Sequence, residues 1–310
     1  MRYGSVVEGI FLQRVNRFVA WVQVNGTGVR CHVKNTGRLK ELFVSGARCV
    51  LAVADNPNRA TAYDLVGIWR GDVLVNVDSQ APNAAAREWV SAGGLGDGVT
   101  LVKPEFPWGN SRFDLYAERR PAGRLGQFGV GEEEVRRSDT SGAGGEEATD
   151  AAASVGAKAD RRSNVSTAGK EGDAKFPNAP VAVREDEAKR SNASAETFPV
   201  ERLLIEVKGV TLNVDGEARF PDAPTERGVK HVRELIEARR QGYRACVVFV
   251  IQMPDVSAFA PNDATHPAFG DALRDAARAG VEIHAVLCQN TPDSMVMTNE
   301  VPVRLEASDR

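Results

Sequence analysis

The chain has 310 residues, 42% of them hydrophobic, enough for ordinary buried cores and for two domains. No run reaches the roughly 18 apolar residues that a bilayer-spanning helix needs, and the opening MRYGSVVEG lacks an apolar signal-peptide stretch; a cytoplasmic protein with no membrane partner is expected. The net charge of −3 conceals a division, because residues 1–60 carry nine Lys and Arg against three Asp and Glu while 121–198 carry eleven against fourteen, and local potential steers a polyanion more than net charge does, so DNA stays open as a partner.

Residues 1–80 read as short strands broken by turns: VVEGIFLQRV, RFVAWVQV, VRCHVK, ARCVLAVA, TAYDLVGIW and DVLVNV. Asn25-Gly26 signals a hairpin between the second and third, since both residues accept positive φ. Open edges on so many short strands are costly, and an OB-like small barrel removes them. The stretch 35–43 adds a single helical turn. From Pro82 the pattern changes to helix-flanked mixed sheet: a helix over 83–93, strands over 99–104, 111–118 and 202–212, a helix from Thr225 to Arg240, a buried strand over 245–252, a helix over 266–279 stopped by Gly280, and a last strand over 281–288. Thr225 is the expected N-cap of the second helix, whose buried stripe is Val229, Val232, Leu235 and Ile236. The stretch 121–198, poor in aromatic and aliphatic residues, is expected to be a disordered insertion. Loop-closure cost grows only slowly with length, so residues on either side of it can still be neighbours. Cys31, Cys49, Cys246 and Cys288 show no C-x-x-C spacing and read as reduced, buried thiols.

Chemistry concentrates in the second part. Glu206 and Lys208, two apart on a strand, point to one face of a sheet. With Asp114 on another strand they form a set of hard oxygen ligands and a cation, the pattern for Mg²⁺ or Mn²⁺ beside a phosphate. In this reading Asp114, Glu206 and the Val207 carbonyl ligate the metal while Lys208 orients water and stabilises developing charge. An E-x-K pair is also a commonplace of solvated strand faces. Arg227, Lys230 and His231, three and four apart in the first turns of the 225–240 helix, could share a face opposite the apolar stripe and grip a phosphate, or be an ordinary charged face. Arg14, Arg17, Arg30, Lys34, Arg38 and Lys40 lie on or beside the barrel near Phe18, Trp21 and Phe43, a mixture suited to nucleic acid. His32, His266 and His284 show no metal-ligand spacing. No dinucleotide fingerprint, P-loop or nucleophile elbow appears, which leaves dehydrogenase, NTPase and serine-hydrolase readings without support.

Several motifs resemble those of the sugar fermentation stimulation proteins: NRFVA (16–20), HVKNTGRLKEL (32–42), LVNVDSQAPN (74–83), SRFDL (111–115), IEVKGVTL (205–212), FPDAPTERGVKHVREL (220–235) and PVRL (302–305). The resemblance covers nearly the whole chain outside 121–198. It implies an OB-like barrel over residues 1–80, then a domain over 81–310 like the PD-(D/E)xK nucleases. It further implies a DNA-binding role linked to maltose-utilisation genes, with metal-dependent nuclease activity as the alternative. The nuclease-like signature falls on Asp114, Glu206 and Lys208, with Glu105 and Glu226 as further acids near the metal. Lys34 stands where the family has proline, which is expected to add a cation to the barrel surface.

Overall fold

Asn25 and Gly26 both sit at positive φ, 48° and 79°, and turn strand β2 (Val19–Val24) into β3 (Thr27–Val33) as the dipeptide requires. The computed structural model describes residues 1–121 and 199–306 apart from 57 and 110. Strand β1 (Val6–Arg14) lies antiparallel between β2 and β4 (Arg48–Val53), which pairs with β5 (Tyr63–Arg70). A short parallel contact between β3 and β5, His32 opposite Asp64 and Val33 opposite Leu65, closes the ring. The five strands make a closed OB barrel around Phe11, Val22, Cys31, Leu51, Leu65 and Ile68, and β6 (Val73–Asn76) extends it as a hairpin with β5.

The helical turn expected over 35–43 is a turn in which the Phe43 N–H donates to the Leu39 carbonyl at 2.9 Å.

Helix α1 (Ala81–Ser91) follows, then a six-stranded mixed sheet. Its strands are β7 (Val99–Trp108), β8 (Ser111–Arg119), β9 (Glu201–Val210), β12 (Arg244–Ile251), β14 (Glu282–Thr291) and β15 (Ser294–Glu300), in the order β15-β14-β12-β9-β8-β7. The pairings of β9 with β12 and of β12 with β14 are parallel. One face packs on α1 through Leu203, Ile205, Cys246 and Val248. The other packs on α2 (Glu226–Arg240) and α3 (Pro267–Arg278) through Leu204, Val247 and Phe249. Thr225 caps α2, its hydroxyl accepting from the Gly228 N–H at 3.1 Å.

Three differences from the sequence reading are added elements, two of them short. The strand expected to run to 212 stops at Val210, and β10 (Leu212–Val214) begins a hairpin that turns at Asp215-Gly216 into β11 (Glu217–Phe220). A four-residue strand, β13 (Ala258–Pro261), pairs with β11 to complete a small three-stranded sheet. The expected last strand is followed by β15, so the sheet ends in a hairpin. Runs of three or four residues are too short to show a period.

Strands β8 and β9 are antiparallel neighbours with Arg119 opposite Glu201. Nearly all of the expected insertion between them lies outside the described residues, as does its expected disorder. The four cysteines are buried free thiols. No helix among the described residues is long and apolar enough to cross a membrane.

Barrel and sheet meet through a buried polar junction. The Gln252 side chain donates to the Asn76 carbonyl and to Asn76 Oδ1, both at 3.0 Å, while Asn290 Nδ2 donates to the carbonyls of Leu74 (2.9 Å) and Gln252 (2.8 Å). Buried amides leave few alternatives once paired, so these bonds fix how the barrel sits on the sheet.

Candidate metal centre

The β8–β9 ladder runs as far as Leu115 opposite Ile205. One step further Asp114 takes the place of a backbone partner: its Oδ2 accepts the Val207 N–H at 2.8 Å, and its Oδ1 accepts from Asn83 Nδ2, in the first turn of α1, at 2.9 Å. Alternation along β9 turns Glu206 and Lys208 to the α2 side. Glu206 is 1% exposed. Its Oε1 receives Lys208 Nζ at 2.5 Å and pairs with His231 Nδ1 at 2.6 Å, while its Oε2 is buried without a hydrogen-bond partner among the described residues.

Two charges side by side in a half-dry site shift each other. Burial pushes the Asp114 carboxyl above its ordinary range, and the neighbouring Glu206 charge adds to this. Burial also pushes Glu206 up, but the bonds from His231 and Lys208 outweigh it and hold this carboxyl below its ordinary range. Glu206 is therefore the settled anion of the pair.

His231 is placed otherwise than helical spacing suggested. It meets Arg227 across one turn, with Nε2 3.4 Å from the Arg227 Nε, but it is buried, 6% exposed, at the margin of the stripe that includes Val232 and Leu235. An arginine N–H can only donate. The His231 Nε2 is then the acceptor, and Nδ1 carries the proton that Glu206 receives. His231 thus orients Glu206 rather than facing solvent beside Arg227 and Lys230, both of which are exposed.

These residues line a cleft of about 1160 Å³ that also includes Glu105 and Glu226. Glu105 pairs with Arg112 at 2.7 Å, and Glu226 lies 3.2 Å from His266 Nε2. Both are exposed acids at the rim, engaged with those partners. Asn83 is the residue that sequence reasoning missed at the centre. Its signal is that it closes the motif LVNVDSQAPN (74–83), in what becomes the first turn of α1.

A metal here has a vacant donor to meet. An orphaned buried carboxylate oxygen on Glu206, beside the Asp114 carboxylate, is a hard-oxygen set that fits a divalent cation. The tightest grouping of metal-type side chains among the described residues lies elsewhere, where Cys246, Glu282 and His284 bring ligand atoms within 4.8 Å of one another. The parallel register sets Cys246 opposite Glu282, which sequence spacing could not reveal. Its polar atoms are already committed: Arg244 holds both Glu282 oxygens at 2.6 Å, and His284 bonds Glu300 and Glu282 at 3.1 and 3.3 Å.

The barrel cations divide. Arg14 directs its guanidinium to five backbone carbonyls, those of Asn16, Arg17, Asn35, Gly37 and Arg38, at 2.5–3.1 Å. A guanidinium has five N–H donors, so Arg14 organises the 35–38 loop and has none left for a phosphate. Lys34 turns inward to the buried Asp78 at 2.7 Å, in place of the surface position expected for it. Arg17 and Arg38 are exposed and line a second cleft.

Comparison with known proteins places the chain in a family. The family description "SfsA N-terminal OB domain" matches residues 12–77, and "Sugar fermentation stimulation protein RE domain" matches residues 167–294. A sugar fermentation stimulation protein homolog of Ruminiclostridium cellulolyticum is 36% identical over 98% of this chain and 100% of its own length. The chain belongs to the sugar fermentation stimulation protein family. The Clostridium beijerinckii homolog is also 36% identical, and that of Desulfitobacterium hafniense 37%, each over 98% of this chain. A solved structure of Pyrococcus furiosus SfsA in complex with Ca²⁺ shares the fold, with a TM-score of 0.66, 22% identity and 98% of both chains covered. The matched RE stretch contains Glu206, Lys208 and His231, whereas Asp114 and Asn83 fall between the two matched stretches.

Proposed function

We propose that this family member binds DNA across the Asp114–Glu206 cleft and hydrolyses its phosphodiester bonds with Mg²⁺ or Mn²⁺. The observation that carries the reading is the unpartnered buried Oε2 of Glu206 beside Asp114. Leaving such an oxygen unsatisfied costs about 1–3 kcal/mol or more, a cost that a bound cation removes. The Ca²⁺ named for the Pyrococcus furiosus relative supports the choice of a hard divalent ion. A cation held by Asp114 and Glu206 would supply Lewis acidity for activating water beside a phosphate.

The chain's own groups do the rest. His231 and Lys208 occupy Glu206 Oε1 and so leave Oε2 as the oxygen without a partner among the described residues. Asn83 and the Val207 N–H hold both oxygens of Asp114 in place. The Lys208 ammonium supplies fixed positive charge where a phosphoryl group gains negative charge in the transition state. Arg227 and Lys230, exposed at the start of α2, lie where a helix N-terminus favours phosphate.

A second reading is DNA binding without cleavage, in the service of sugar-utilisation gene regulation. It is favoured by the exposed barrel cations, which need no metal to hold phosphates. Incubation of the protein with labelled DNA in Mn²⁺, beside Lys208→Ala and EDTA controls, separates the two. Cleavage lost in both controls supports hydrolysis. Intact DNA that is nonetheless retained by the protein supports the second reading.

A further inference from the structure

A second cleft, of about 780 Å³, opens between the barrel loop 35–40 and the segment 219–225. Its charged lining is Arg14, Arg17, Arg38, Lys40 and Arg219 against the single carboxylate of Asp222. The acid cleft, by contrast, balances its cations with Glu105, Asp114, Glu206 and Glu226. Arg17, Arg38 and Lys40 are exposed, without an ion-pair partner among the described residues. Arg14 makes this lining rigid by tying down the carbonyls of Arg17, Asn35, Gly37 and Arg38.

The two clefts share a border. Ser79 and Gly209 line both, and Gly209 follows Lys208 directly. A β-carbon at Gly209 would lie 2.6 Å from Gln252 Oε1 and 2.7 Å from Pro82 Cγ, so only glycine lets β9 pass this close to the junction. Asp222 reaches from the opposite wall towards the barrel loop: a β-carbon on Gly37 would lie 3.0 Å from Asp222 Oδ2, the end of an exposed side chain that can move aside.

We propose that the second cleft takes a single-stranded polynucleotide continuing out of the acid cleft, its phosphates tracked by Arg17, Arg38 and Lys40. A cleft of about 780 Å³ encloses one strand but not both strands of a duplex, and a lone strand in a cationic groove is a familiar arrangement. Phe220 does not serve as a stacking platform, being packed on Phe249 and Phe269. The contacts are therefore to backbone and carry no base sequence. This inference rests on the acid cleft being the phosphate-handling site.

The test is a fluorescence anisotropy titration in EDTA of the full-length protein, using an oligothymidylate of about 15 nucleotides, within known site sizes, and a duplex of equal length. The single strand is expected to bind about tenfold more tightly. Arg38→Glu with Lys40→Glu should weaken that binding by about tenfold or more, and the milder Arg38→Ala with Lys40→Ala should lower the salt slope by about 0.7 for each phosphate that is no longer neutralised. Equal affinity for duplex, or a salt slope unmoved in the alanine pair with melting unchanged, overturns the proposal. A parallel Mn²⁺ titration keeps the two readings apart. Metal binding without strand binding defeats the second cleft alone, and strand binding that depends on Arg38 and Lys40 without metal binding defeats the acid-cleft reading alone.

Discussion

At the residue scale, Glu206 and Lys208 were legible because a two-residue spacing on a strand decides which face both occupy. Asp114 was legible only as a candidate, since nothing local says that β8 lies next to β9 across the long intervening stretch. The roles of Asn83 and His231 were not legible. Each meets its partner carboxylate across 31 and 25 residues respectively, and neither residue type announces such a bond. Arg14 makes the same point in reverse, since its charge suggested a phosphate contact and its five carbonyl partners give it a structural task. Arg14→Lys tests that task. It keeps the charge but loses the forked donors, and is expected to cost about 1–3 kcal/mol in urea unfolding; unchanged stability would return Arg14 to the surface cations. The Arg244–Glu282–His284 network gives a pH prediction. Burial pushes Glu282 up, but the Arg244 and His284 bonds outweigh it and bring its pKa down from 4.5 to about 2. A depressed carboxylate stabilises the fold above its unfolded pKa and ceases to do so as pH falls towards the folded value. Glu282→Gln should therefore cost about 1–2 kcal/mol near pH 6, discounted for partial exposure, and the gap from wild type should shrink as the pH is lowered from 4.5 towards 2. Thermal melts of both proteins across that range would show it.

At the element scale, the long periodic segments of the sequence were read nearly as they stand. Helix α2 carried an N-cap signal and an apolar stripe, and α3 ended before Gly280, which is at φ 82°. The missed pieces were β10, β11, β13 and β15. The first three have three or four residues and exist because tertiary pairing, not intrinsic preference, holds them. Thr225→Ala should cost about 1 kcal/mol through loss of the α2 cap. Chemical denaturation measures it, and a change below a few tenths would mean that packing on the sheet alone holds this end. The cap matters to function because it fixes the turn that bears Arg227 and, one turn on, His231.

At the scale of the whole molecule, barrel and mixed sheet were both expected, and the buried junction that joins them was not. Asn76, Gln252 and Asn290 come from three separate stretches and show no pattern along the chain. That junction places the barrel loop opposite the 219–225 segment and brings a cationic cleft against an acidic one. Gly209 borders both, so Gly209→Ala should lower stability by about 1–3 kcal/mol through overpacking against Gln252 and Pro82, with a matching loss of metal affinity as the strand that carries Glu206 shifts. Intact affinity in a destabilised variant would uncouple the junction from the site. The central claim is that Asp114 and the free oxygen of Glu206 hold a divalent cation, and calorimetric titration of Mn²⁺ into wild type and Glu206→Gln tests it most directly. The account predicts saturable binding at one site per chain in wild type that is lost in the variant, with the variant still folded. Equal binding by both proteins, or none by wild type, would contradict it.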